Sequence, residues 1–107
     1  MKKEIQKIAD RMGDAYGFPS VNANAILGKS REKNIVHIRK ILLAVLEDTT
    51  KYSRTEIAAR FNRTYQQIFN LIKDGRKKNE LAINAIKGDL DLKDFVDEQS
   101  KHISTNW

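Results

Sequence analysis

Three amide side chains, Gln66, Gln67 and Asn70, fall within five residues, behind Arg63 and Thr64 and ahead of Lys73. A side-chain amide carries a donor and an acceptor side by side. It can pair with N6 and N7 of adenine in the major groove of DNA, each good pair giving about 1–3 kcal/mol of discrimination. Arg63 can reach a guanine or a phosphate, and Thr64 adds a hydroxyl beside it. We read Arg63, Thr64, Gln66, Gln67 and Asn70 as base-reading candidates. The competing reading is an ordinary polar helix face in contact with water. Tyr65 has two readings: it touches a thymine methyl, or it packs beside Phe61 and Phe69.

Such a row works only if its helix hides its apolar side. Ile57, Ala58, Phe61, Ile68 and Ile72 recur at helical spacing and can close one small core, leaving Arg63, Gln66, Gln67, Asn70 and Lys73 on the opposite side. Ser53 and Glu56 match a capping box, so the first helix is expected over about 54–61. Asn62 marks the turn, where a left-handed backbone suits Asn better than most residues. The second helix is expected from Thr64 to just before Gly75. Together they spell a helix-turn-helix, whose second helix, residues 64–73, enters the major groove.

The flanks read as further helices. Ile5, Ile8, Ala9 and Met12 predict a helix over 2–15. Ser20 is expected to cap a short helix over 21–27, stopped by Gly28. Ile35, Ile38, Leu42 and Val45, widened by Ile41 and Leu46, predict a central helix over 31–48, packed on more than one side. After the motif, Ala82, Ile83 and Ile86 mark one helix ended by Gly88. Leu92, Phe95 and Val96 mark another, capped by Asp91, with fraying from about Ser100 to Trp107. The expected fold is a single all-α domain, residues 1–107, of six or seven helices, with the motif core over 29–78.

Charge is unevenly spread. The net charge is +6, but residues 29–78 hold thirteen basic and five acidic side chains, while residues 79–107 hold three basic and six acidic. The positive field thus coincides with the motif, and phosphate neutralisation supplies most non-specific nucleic-acid affinity. Lys29, Arg31, Lys33, Arg39, Lys40, Arg54, Arg60 and Lys73 are the candidate phosphate contacts, which position a protein without specifying sequence. For Arg39 the alternative is an ion pair with a neighbouring carboxylate. The N-termini of the two motif helices offer further backbone N–H donors for phosphate. The acidic segment 79–107 either completes the core or forms a protein-binding or dimerising element kept off DNA by its charge.

From Leu27 onward the chain resembles the C-terminal DNA-binding domain of the bacterial replication initiator DnaA. The resemblance rests on Lys29-Ser30-Arg31-Glu32-Lys33, then Val36-His37-Ile38-Arg39-Lys40, then Ser53-Arg54-Thr55-Glu56-Ile57-Ala58-Ala59-Arg60-Phe61, and covers residues 26–74. It implies a Trp-repressor-like helical fold that binds duplex DNA, with Arg31 and Arg39 against the backbone and minor groove. After that Phe the family continues Gly-Gly-Arg-Asp-His-Ser/Thr-Thr-Val. Here the chain reads Asn62-Arg63-Thr64-Tyr65-Gln66-Gln67-Ile68, one residue shorter. Arg63 can stand for the signature Arg, while Thr64, Tyr65 and Gln66 replace the residues that read bases. The resemblance therefore argues against the initiator's own target sequence.

Other chemistry has little to work with. There is no cysteine, which removes disulfides and thiolate metal sites and fits a reducing compartment. No metal site or cofactor is expected. No apolar run approaches the roughly 18 residues of a membrane span, and no apolar segment follows Met1-Lys2-Lys3, so neither a membrane segment nor a signal peptide is expected. Ala23 to Ser30 nearly spells a phosphate-binding loop, but its first Gly is Ala23 and no strand is expected before it. His37 and His102 lie far apart, with no nucleophile or carboxylate constellation, so we expect no enzyme. The function read from sequence is double-stranded DNA binding in transcription or replication, in the cytoplasm of a bacterium or encoded by a phage or mobile element. The alternative is a protein–protein interaction module that reuses the fold. Structured RNA suits the short polar helix less well than a B-form major groove.

Overall fold

Ile41, Leu42, Leu43, Ala44, Val45 and Leu46 are consecutive and all fully buried. Six residues in a row cover every direction around a helix of 3.6 residues per turn. The helix that carries them must therefore be wrapped by others. The structure is a computed structural model that describes residues 1–106, with side chains described for residues 1–90. Its elements are α1 (Lys2–Tyr16), α2 (Ala23–Leu27), α3 (Lys33–Thr49), α4 (Arg54–Arg60) and α5 (Tyr65–Asn106). No strand occurs among the described residues. The central helix is α3, with α1, α2 and α5 packed against it and α4 held on α5.

The expected core forms. Ile5, Ile8, Ala9 and Met12 bury the inner face of α1, and Ile57, Ala58, Phe61, Ile68 and Ile72 join the same cluster as α3. α1 ends where Gly17 takes a left-handed conformation, φ 73°. α2 begins two residues later than expected. Asn22, rather than Ser20, caps it, its Oδ1 accepting from the backbone N–H of Ala25. The N–H of Ala23 donates to Oε1 of Gln6, so contact with α1 fixes where α2 starts.

The larger correction lies after the turn. In place of the three expected helices there is one, α5, so five helices are described rather than six or seven. Gly75 does not stop it. A Cβ at this position would lie 2.7 Å from the carbonyl oxygen of Lys40, so the glycine is what lets α5 cross close to α3. The irregularity comes one turn later at Asn79, φ −136° and ψ 30°, dividing α5 into a first arm before the kink and a second arm after it. Gly88 and Asp91 are likewise inside the helix, not its end or cap. The second arm returns to the core: Ile83, Ile86 and Leu90 are buried, Tyr16 donates to the carbonyl of Ala85 at 3.0 Å, and Arg11 meets Asp89 at 2.5 Å. Up to Leu90 the acidic segment thus completes the core. The expected roles of Leu92, Phe95 and Val96 lie outside the described side chains, and Trp107 outside the described residues.

The two glycines of α5 should respond oppositely to alanine. Alanine favours a helix over glycine by about 1 kcal/mol, but at Gly75 it must displace backbone of α3. Gly75→Ala should lower stability by about 1–3 kcal/mol in denaturant unfolding. Gly88→Ala, whose added Cβ meets no described atom within 4 Å outside its neighbours and its own helix backbone, should raise it by about 0.5–1 kcal/mol. Equal effects at the two sites would contradict the close crossing.

Candidate nucleic-acid interface

Phe61 to Thr64 connect α4 to α5. Ser53 and Glu56 form the expected reciprocal cap of α4, the Ser53 hydroxyl accepting from the N–H of Glu56 and the Glu56 carboxylate from the N–H of Ser53. Asn62 takes φ 51°, the one positive value among described non-glycine residues. Thr64 and Gln67 then repeat the device. The Thr64 hydroxyl accepts from the N–H of Gln67 at 3.1 Å, and Gln67 Oε1 accepts from the N–H of Thr64 at 2.9 Å. The pattern Thr-x-x-Gln, like Ser-x-x-Glu, carries that signal in the sequence, where our reading missed it. Two corrections follow. Thr64 and the carbonyl end of Gln67 are occupied in starting the helix. The N–H groups of Ser53, Glu56, Thr64 and Gln67 are already satisfied rather than offered to phosphate.

A second set of bonds ties this turn to the loop between α2 and α3. Lys29 Nζ donates to the carbonyl of Asn62 at 2.6 Å. Arg63 donates to the carbonyls of Gly28 at 3.1 Å and Phe61 at 3.2 Å. Arg39 reaches the same loop from inside. It is only 3% exposed and donates to the carbonyls of Ile26, Ser30, Ala25 and Gly28 at 2.8, 3.1, 3.3 and 3.1 Å. It thus satisfies carbonyls at the C-terminal end of α2, which a five-residue helix cannot satisfy by itself. Burial, then repulsion from Arg63, lowers the Arg39 pKa. Burial likewise lowers that of Arg63. Among the described residues Arg39 touches no carboxylate, and its guanidinium is buried against these carbonyls rather than presented at the surface. Arg63 is half-buried and anchors the loop, so its guanidinium is not a freely presented base reader.

The remaining cations divide by whether a carboxylate holds them. Glu47 and Asp48, at the end of α3, collect Arg54, Arg76 and Lys87. Arg54 grips Glu47 through two nitrogens, at 2.5 and 3.0 Å, and lies over the Phe69 ring at 5.2 Å. Arg76 and then Lys87 bring the Asp48 carboxyl down to about 2. Lys40 is paired with Asp74, which also holds Lys78 at 3.2 Å. Arg54 and Lys40 are therefore each engaged with a carboxylate within the protein. Lys29, Arg31, Lys33, Arg60 and Lys73 are exposed and have no carboxylate partner among the described residues.

On the first arm of α5, Ile68 and Ile72 are buried while Gln66, Gln67, Asn70 and Lys73 are exposed. Gln66 Nε2 donates to Asn70 Oδ1 at 3.1 Å, one helical turn on. This leaves the Gln66 carbonyl oxygen and the Asn70 amide N–H groups without protein partners among the described residues. Tyr65 is 50% exposed, while Phe61 is fully buried. Arg63, Gln67, Asn70 and Leu71, with Lys40 and Asp74, line a groove of about 450 Å³ beside this face. The phosphate-loop reading of residues 23–30 fails, because Ala23–Leu27 is helix and Lys29 is turned onto Asn62.

No group of three or more acidic, His or Cys side chains able to hold a metal ion occurs among the described residues. Among those residues no helix is long and apolar enough to cross a membrane. Comparison of the chain with protein-family models, with curated proteins and with solved structures gives no match.

Arg39 and Arg31 should separate cleanly in a stability measurement. Arg39→Met leaves buried carbonyls unsatisfied and should cost about 2–4 kcal/mol of unfolding free energy. Arg31→Ala, on the exposed loop, should stay within about 0.5 kcal/mol of the unsubstituted protein. A stable Arg39→Met protein would contradict the anchoring role.

Proposed function

We propose that the protein binds double-stranded DNA, with α4, the Asn62 turn and the first arm of α5 acting as a helix-turn-helix that places residues 64–73 in the major groove. The observation that carries this reading is the partition of the first arm. Its apolar row is sealed against α3, and its opposite row presents Gln66, Asn70 and Lys73 to solvent. Cations without carboxylate partners, Lys29, Arg31, Lys33 and Arg60, come from the loop, from α3 and from α4. A polar row with a cationic surround matches what a B-form duplex offers: base edges in the groove and phosphates along its rims.

Within this reading the base contacts centre on the Gln66–Asn70 pair. Joined to each other, the two amides still offer an acceptor on Gln66 and a donor on Asn70, the complement of adenine N6 and N7. Arg31, Lys33 and Lys73 supply phosphate contacts, and Gln67 contributes through its amide nitrogen while its oxygen caps the helix. The resemblance to the DnaA C-terminal domain supports the same docking with a different target, in a transcription- or replication-associated role.

The test is a duplex titration at several salt concentrations between about 50 and 200 mM. Neutralising four to six phosphates gives a slope of log affinity against log salt of about −4 to −5. A slope near zero would rule the reading out and favour a protein-interaction module. On duplexes selected from a random pool, Asn70→Ala should cost about 1–3 kcal/mol for the preferred sequence and little on unselected DNA. Equal losses on both would remove Asn70 from the reading row.

A further inference from the structure

The groove beside the reading row does not end at Lys40 and Asp74. On their other side a second groove, of about 510 Å³, continues between the start of α3 and the first arm of α5. Arg31, Lys33, His37 and Lys78 line it, and Lys40 and Asp74 line both grooves. The two therefore form one trough with a saddle at the Lys40–Asp74 pair, where Gly75 brings α5 onto the Lys40 backbone. Along α5 the trough follows Gln67, Leu71, Asp74 and Lys78, one helix stripe of eleven residue-to-residue steps. That is about 16 Å at 1.5 Å per residue, long enough to follow several phosphates rather than hold one.

Asp74 is the only carboxylate in this trough among the described residues, and each of its oxygens holds one lysine: Oδ2 takes Lys40 and Oδ1 takes Lys78, the latter at 3.2 Å. Two lysines on two oxygens of one anion is also how a phosphate with two free oxygens would be held. The geometry points to the α3–α5 trough as a track for the DNA sugar–phosphate backbone, with Asp74 an internal counter-anion in the place a backbone phosphate takes on binding. It rests on the duplex-binding reading and extends it: the reading row sets sequence, while the trough sets affinity and is held partly neutralised in the free protein. Lys40 and then Lys78 keep the Asp74 carboxyl below its ordinary value, so it is charged at neutral pH. A phosphate entering the trough competes with it for the two lysines. Asp74 therefore restrains indiscriminate binding, because unselected DNA gains no base contacts to offset the exchange.

The experiment compares the unsubstituted protein, Asp74→Asn and Asp14→Asn on one fluorescently labelled mixed-sequence duplex, by anisotropy at several salt concentrations. Asp14 is an exposed carboxylate on α1, so its variant changes net charge equally but away from the trough. Asp74→Asn should tighten binding about three- to ten-fold and steepen the salt slope by about 1–2, as two lysines are released to phosphates. Asp14→Asn should stay within about two-fold. A folded Asp74→Asn protein that binds no tighter than Asp14→Asn overturns the track. Should Asp74→Asn fail to fold, Lys78→Ala decides: weaker binding to the same duplex with a shallower slope supports it, and unchanged affinity overturns it. Salt-dependent binding by the unsubstituted protein with no gain in Asp74→Asn sinks the trough alone. Silence of both proteins sinks the duplex reading along with it.

Discussion

One close contact organises this molecule: α5 lies so near α3 that a single methyl at Gly75 would meet the carbonyl of Lys40. That approach turns Ile68 and Ile72 inward onto α3 and so turns Gln66, Asn70 and Lys73 outward. It also sets Lys40 against Asp74 and creates the trough on either side of the crossing. A larger residue at position 75 would push the helices apart, and the polar row, the trough and the α3 core would all shift together. Close packing makes such interfaces respond as units rather than bend continuously.

Electrostatics then sorts the basic residues. At the C-terminal end of α3, Glu47 and Asp48 draw Arg54, Arg76 and Lys87 from α4 and both arms of α5, tying three elements to the central helix. At the other end no carboxylate among the described residues does this work. Arg39, Arg63 and Lys29 hold carbonyl oxygens instead, so the loop is fixed while its positive charge stays uncompensated. Burying Arg39 with no counter-ion among the described residues is costly, and its four carbonyl acceptors offset that cost. The described ion pairs thus gather around the end of α3, while Lys29, Arg31 and Lys33 around its beginning have no carboxylate partner among the described residues. The overall charge of +6 conceals this asymmetry, which is sharper than the segment charges suggest.

Local signals read well from the sequence, and contacts across the fold did not. The Ser53–Glu56 cap, the left-handed Asn62 and the inward set Ile57, Ala58, Phe61, Ile68 and Ile72 each depend on spacing within a few residues, and each is present. At Gly75 the sequence is ambiguous, because a glycine needed for helix crossing and a glycine that ends a helix look alike until the neighbour is known. The same holds for Arg39. A basic residue in a basic stretch suggests phosphate, yet four carbonyls brought together by folding claim it. Thr64 and Gln67 differ, since their Thr-x-x-Gln capping pattern lies within four residues and is legible in the sequence alone. Asp74 was not legible, for its meaning depends on lysines supplied by α3 and by its own next turn.

The most direct measurement follows backbone amide resonances of isotopically labelled protein while a short duplex is added. If the first arm of α5 and the basic loop form the contact surface, the largest shifts fall on residues 63–74 and 29–34. Residues 80–90, which pack the second arm onto the core, should scarcely move. Shifts concentrated on that second arm, or spread evenly over the chain with no cluster around Asn70, would contradict it.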